Sequence, residues 1–282
     1  MESGETLQKI QTWLIEPLQF EFMRNAIAVG ILLGILCAVV GSYLIVQQMG
    51  MMVGMISHSV VAGLPIAFIL RINLAIGAFV AGVLSALLLA WIQTQSRIKA
   101  DAAMALILSA FLALGVTLIT KLRTTQLNLE DFLFGNILSV TNTDVIRTLL
   151  ITLFILILVK VLYKELLFYT FDPIGAQASG LPVNQLYLGM IAMISITIVA
   201  SMQTVGVLLV IALLTGPALT AYLWVKELHQ MMLGGAGVAS LATIIGMYFS
   251  YYWNVPSGAA IVLVIFTIFS LVFLGKLGVS RI

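Results

Sequence analysis

Apolar runs long enough to cross a bilayer follow one another almost without pause along this chain, and they constrain its fold more than any other feature. They lie near residues 23–46, 51–70, 73–95, 101–120, 144–169, 185–202, 205–225, 231–253 and 257–276. A helix rises about 1.5 Å per residue, so roughly 20 apolar residues span a hydrocarbon core about 30 Å thick. With 62% hydrophobic and 9% charged residues and a mean hydropathy of +1.16, the chain carries more apolar surface than a water-soluble core can bury. In lipid, backbone groups must be bonded within a helix or a closed barrel, and the alternating pattern of a barrel strand is absent. The fold class is therefore all-α, a polytopic integral membrane protein of about eight or nine transmembrane helices.

Residues 1–21 form a separate region. Glu2, Glu5, Lys9, Glu16 and Glu21 make it too acidic for the n-region of a signal peptide. Leu7, Ile10, Leu14, Ile15 and Leu18 recur at helical spacing, which predicts an amphipathic helix lying in the membrane interface. Residues 22–282 read as a single transmembrane domain, because the longest polar connections, 121–143 and 171–184, are too short to hold a soluble one. Gly54, Gly63 and Pro65 punctuate the run 51–70, which is expected to be tilted, broken or paired with its neighbour. A net charge of +2 without a basic run argues against a nucleic-acid partner. Cys37 is the single cysteine and sits in an apolar run, where it reads as a small buried hydrophobe. Placing Arg97, Lys99, Lys164, Lys226, Lys276 and Arg281 on the cytoplasmic side leaves Lys9, Arg24, Arg71, Lys121, Arg123 and Arg147 outside, with the C-terminus inside.

The absent residues limit the chemistry. Asp101, Asp144 and Glu165 fall near the ends of runs, so no carboxylate lies deep in the membrane, where a proton-coupled carrier usually keeps its relay. Gly275-Lys276 lacks the upstream glycine and following Ser or Thr of a phosphate-binding loop. The chain is thus not expected to be an enzyme, and any ATP would be hydrolysed elsewhere.

His58 is the histidine at membrane depth, in the segment MGMMVGMISHSVVAG over residues 49–63. On a helix Met51, Gly54, Met55 and His58 share a face and could line one groove. Two readings fit: a metal or ion pathway, or a packing histidine donating to a neighbouring carbonyl among core methionines. A second constellation begins at Phe171, where Asp172 can cap a short helix starting at Pro173 and Gly180, followed by Leu181-Pro182, can end it. That helix fits either a simple connector or a knob docking on a cytoplasmic partner. A third runs from Gln203-Thr204-Val205-Gly206 to Thr215-Gly216-Pro217, where the proline implies a kink with Thr215 satisfying a released carbonyl. Glu130 and Asp131 read as loop charges or as an attraction for cations, and His229 as a surface residue near the cytoplasmic end.

These three segments, together with Asp131-Phe132-Leu133-Phe134-Gly135-Asn136-Ile137-Leu138, resemble the membrane permease subunit of the manganese, zinc and iron chelate-type ABC importers. The resemblance covers nearly the whole chain and rests on the order and spacing of the motifs. It implies that family's permease fold, a homodimer with the ion path at its two-fold axis, and two cytoplasmic ATP-binding subunits. It further implies an extracytoplasmic metal-binding protein and residence in the plasma (inner) membrane of a prokaryote. The cargo would be a divalent ion, manganese first and zinc or ferrous iron next, with ATP on the partner subunit. An ATPase-independent secondary carrier is the competing class.

The resemblance also assigns residues. Segment 172–183 becomes the coupling helix, with Asp172, Pro173, Ala176, Ala178, Gly180, Leu181 and Pro182 facing or shaping the contact with the ATPase. Many relatives carry GDALSHAVLPG around the histidine, so His58 is implied to lie on the translocation path, with Met51 and Met55 beside it. Gly54 occupies the position of the motif aspartate, Ala62 that of its proline, and Gln47-Gln48 that of an upstream basic pair. Without the carboxylate the site loses its hard oxygen ligand and becomes softer and weaker.

Overall fold

A computed structural model describes residues 15–122, 135 and 137–279. Residues 1–14 of the expected interfacial helix lie outside the described residues, as do Glu130, Asp131, Arg123 and Arg281. The described chain starts at Ile15, forms a 3-10 turn at Pro17–Gln19, and continues as helices: α1 (Glu21–Val46), α2 (Gly50–Ile69), α3 (Leu74–Gln95), α4 (Ala100–Leu122), α5 (Asn142–Val161), α6 (Tyr163–Phe171), α7 (Pro173–Ala178), α8 (Val183–Val205), α9 (Val207–Tyr222), α10 (Leu228–Trp253) and α11 (Ser257–Val279). Seven of these are long and apolar enough to cross a membrane alone. The expected span 144–169 is not one rod: α5 and α6 are bent by 70° at Leu162. Lys160 and Lys164 flank the bend and are exposed, whereas Glu165 is half-buried, with Oε2 lacking a hydrogen-bond partner among the described residues. The expected span 205–225 becomes α9, whose 16 residues reach about 24 Å.

The short α9 is made possible by Gly206, whose φ of 79° and ψ of 163° are open to glycine alone. This turn joins α8 to α9 with no intervening loop. Irregular backbone at membrane depth must be covered by protein. Gly135 from the 131–138 motif does so, its Cα lying so close that a Cβ would meet the Val205 carbonyl carbon at 2.3 Å. Two motifs distant in sequence thus form one contact. Thr215 differs from expectation: its hydroxyl donates to Ile211 O at 2.8 Å, not to Leu213 O, the carbonyl whose i+4 donor Pro217 removes.

The run 51–70 is a continuous helix despite its breakers. Gly63 marks a crossing, not a break: a Cβ there would fall 2.1 Å from Gly77 O on α3. Gly41 lets α1 approach α9 in the same way, 1.8 Å from Leu214 O. Small residues at such crossings let helix backbones pack closely where lipid offers no hydrophobic drive between them. Cys37 is fully buried in α1, with Sγ 4.0 Å from Ser201 Oγ. Outward on α11, Leu263, Phe266, Leu271 and Leu274 are exposed, as lipid-facing side chains must be.

Successive helices alternate in direction, which sorts the charges. Asn142 donates to Glu21 at 2.7 Å at one end of the bundle. At the other, Gln47 donates to Thr170 and Lys276 Nζ donates to Leu223 O. Lys164, Lys226, Lys276, Arg97 and Lys99 therefore share the end that carries α7, while Arg24, Arg71, Lys121 and Arg147 share the opposite end.

Candidate ion path and docking helix

α2 begins one short turn after α1, and His58 follows its first residue by eight positions, about 12 Å along the axis. The 3.6-residue period brings Met51, Gly54 and His58 to one side. Met51 is 53% exposed there and Gly54 and His58 are partly open. Met55, expected in the same groove, is turned inward and fully buried in the core beside Met52. The open stripe is therefore narrower than the sequence implied and holds one thioether, not two. Beside Gly54 a Cβ would meet only Leu108 Cδ1 at 3.9 Å, so the position of the motif aspartate has room for a side chain.

The His58 ring is half-buried, and its Nδ1 is buried without a hydrogen-bond partner among the described residues. That does not match a packing histidine whose Nδ1 donates to a neighbouring carbonyl. Ser59 is spent on its own helix, donating to Met55 O at 2.7 Å. Ser57 Oγ is buried and unpartnered among the described residues, as is Ser195 Oγ on α8. Among the described residues no group of three or more His, Cys, Asp or Glu could hold a metal ion. The stripe offers an imidazole and a thioether, a ligand set suited to brief contact with a borderline ion and not to permanent coordination.

At the end of the bundle, α7 is built as its sequence demands. Asp172 Oδ1 accepts from Gly175 N at 2.8 Å, Pro173 occupies the first turn, and Ser179 donates to Gly175 O. Leu181 N donates to Ala176 O and Gly180 N to Gln177 O, the paired bonds of a Schellman stop, with Gly180 at φ +81°. Both ends of a six-residue helix are thus fixed by its own capping groups.

The face that α7 offers was only partly legible. Ala176 is fully buried and anchors the helix to the bundle, because its position points at the body and its side chain is small. Ile174 is 81% exposed and Phe171 is 60% exposed, so the outermost surface is apolar, with Pro173, Gln177 and Ala178 around it. Beside it lies a cleft of about 280 Å³ lined by Val46, Phe171, Tyr222, Lys226, Glu227 and Met231. His229 is on this rim, exposed, with Nε2 3.2 Å from Glu227 Oε2.

Among the described residues, seven helices that can each cross a membrane, the bent α5–α6 pair and the short apolar α9 define a polytopic helical membrane protein of the permease kind, with a half-open imidazole on α2 and a rigidly capped apolar knob at one end of the bundle. A sequence model of the ABC 3 transport family matches residues 19–276, and the chain belongs to that family. It is 41% identical over 256 residues to the manganese transport system membrane protein MntC of Halalkalibacterium halodurans, covering 91% of this chain and 88% of the relative. It is 36% identical to the manganese import system permease protein ScaB of Streptococcus gordonii, covering 90% of this chain and 91% of that one. Among solved structures it superposes on PsaBC from Streptococcus pneumoniae in complex with Fab with a TM-score of 0.84 and 36% identity, over 94% of this chain and 95% of that chain.

Proposed function

We propose that this chain is the membrane permease of an ATP-driven importer of divalent metal ions, with manganese as the favoured cargo, in the plasma membrane of a bacterium. The observation that carries the reading is His58: a ring nitrogen buried at mid-helix without a partner among the described residues, on the open side of α2. A polar group left unsatisfied in a membrane interior signals a ligand, water or a moving ion. The family and the manganese transport named for its relatives support the same reading.

In this scheme two copies of the chain pair so that their His58 stripes face a common axis. The cargo passes between them, exchanging part of its hydration shell for imidazole and thioether contacts weak enough to let go. ATP is hydrolysed on two cytoplasmic subunits seated on α7, with Ile174 and Phe171 entering an apolar socket. An extracytoplasmic metal-binding protein delivers the ion at the opposite end. Zinc is the second reading, and one feature favours it: with Gly54 in place of a carboxylate, the donors are softer than manganese prefers.

The test is uptake into proteoliposomes holding the permease, its ATPase and its binding protein, titrated with manganese, zinc and ferrous iron. Metal uptake and metal-stimulated ATP hydrolysis should appear together. Uptake that persists without nucleotide would overturn the ATP-driven reading in favour of a secondary carrier.

A further inference from the structure

The α7 knob and the His58 helix belong to different parts of the chain, yet one side chain bridges them. Gln47 ends α1, and its Nε2 donates to Thr170 Oγ1 at 3.2 Å. Thr170 is buried in α6, two residues before the Asp172 cap of α7. On its other side Gln47 is two residues from Met49, the cap of α2. The turn between is tight: Gln48 N donates to Ile45 O and Met49 N to Leu44 O, and Gln48 is held at φ +58°. A left-handed residue other than glycine costs about 1 kcal/mol, so this turn is held by its bonds and has little slack. Among the described residues, Gln47 Oε1 is buried without a partner, as is Tyr43 Oη one turn earlier on the same face of α1.

We propose that the Gln47–Thr170 hydrogen bond is the link that carries movement of α7 into α2, making Gln47 and Thr170 positioning residues for the ion path; this rests on the proposed permease function. A displacement of α7 must move Thr170, because α6 leads into α7 with only Asp172 between them. Thr170 holds Gln47, and the hydrogen-bonded turn passes the shift to the start of α2, about 12 Å below His58. Gln47 Oε1 and Tyr43 Oη, unpartnered among the described residues, are the groups expected to gain partners in the alternate state, since a buried unsatisfied polar atom is costly and calls for a partner. Gln47 stands where the resembling motif carries a basic residue.

The experiment measures metal transported per ATP hydrolysed in proteoliposomes of the full complex. Thr170→Val removes the hydroxyl at nearly constant volume, and Thr170→Ser keeps it. The valine variant should hydrolyse ATP within about twofold of wild type while transport per ATP falls at least fivefold, and the serine variant should restore the ratio. Gln47→Leu should match Thr170→Val, and the double variant should be no worse than either. An unchanged ratio in Thr170→Val, or equal losses in the valine and serine variants, overturns the link. Should Gln47→Leu fail to fold, the valine and serine pair decides alone. Failure of the underlying function would look different, since the wild-type complex itself would then show no ATP-dependent uptake.

Discussion

Placing a carboxylate back at position 54 tests the ion-path assignment directly. Gly54→Asp sets the acid one helical turn before His58, with Cβ atoms about 6 Å apart, close enough for both to touch one ion. The neighbouring Leu108 Cδ1 sits 3.9 Å from the new Cβ, so the substitution meets no clash. Replacing glycine in a helix adds a few tenths of a kcal/mol of stability. Against this, an uncompensated carboxylate in mid-span costs about 3 kcal/mol, which partial exposure of the site reduces. One negative charge about 4 Å from a divalent ion is worth about 8 kcal/mol at an effective dielectric of about 20. Most of that is consumed by dehydrating ion and acid. A conservative residue of about 1.4 kcal/mol still tightens binding tenfold. Isothermal titration of the purified permease with manganese should therefore show at least a tenfold gain, and the gain should vanish in the Gly54→Asp, His58→Ala double variant. An affinity within twofold of wild type in a folded single variant would refute the shared face of positions 54 and 58.

Other substitutions test the site and the packing separately. His58→Ala should reduce metal uptake at least tenfold while the ATPase still co-purifies; uptake at the wild-type rate would remove His58 from the path. Ile174→Asp should release the ATPase in pull-down from detergent without lowering the melting temperature, since 81% of Ile174 is already exposed. Gly180→Pro cannot adopt the φ of +81° that ends α7 and should abolish coupled transport while the transmembrane helices remain folded by circular dichroism. Gly41→Ala places a Cβ 1.8 Å from Leu214 O and should cost at least 3 kcal/mol, seen as a loss of thermal stability. The control Gly237→Ala, with no atom within 4 Å, should be neutral or stabilising by about 1 kcal/mol.

Hydropathy places the seven long apolar helices to within a few residues, because the requirement for apolar length is local and strong, whereas the expected runs 144–169 and 205–225 become a bent pair and a 16-residue helix. The caps of α7 were legible for the same reason, since Asp172, Pro173 and Gly180 act on backbone groups within three residues of themselves. What escaped depends on distant partners. Leu162 carries no breaker, yet α5 and α6 part there by 70°, between the exposed Lys160 and Lys164. Met55 and His58 look equivalent on a helical wheel, and only packing against neighbouring helices turns Met55 inward. Ala176 reads as available to a partner yet is spent on the bundle, whereas Ile174 and Phe171, apolar letters in an apolar chain, form the exposed tip. Gln47 looked like a lost basic residue, and its bond to Thr170 spans 123 positions in sequence.

The apolar tip of α7 also bears on the fate of the newly made protein. A permease inserted before its ATPase arrives would display Ile174 and Phe171 to the aqueous phase on a helix too well capped to fold them away. Such a surface is what chaperones and membrane-associated proteases recognise. In the proposed complex, supply of the ATPase would then set how much permease survives, and the docking surface would double as a checkpoint on subunit balance.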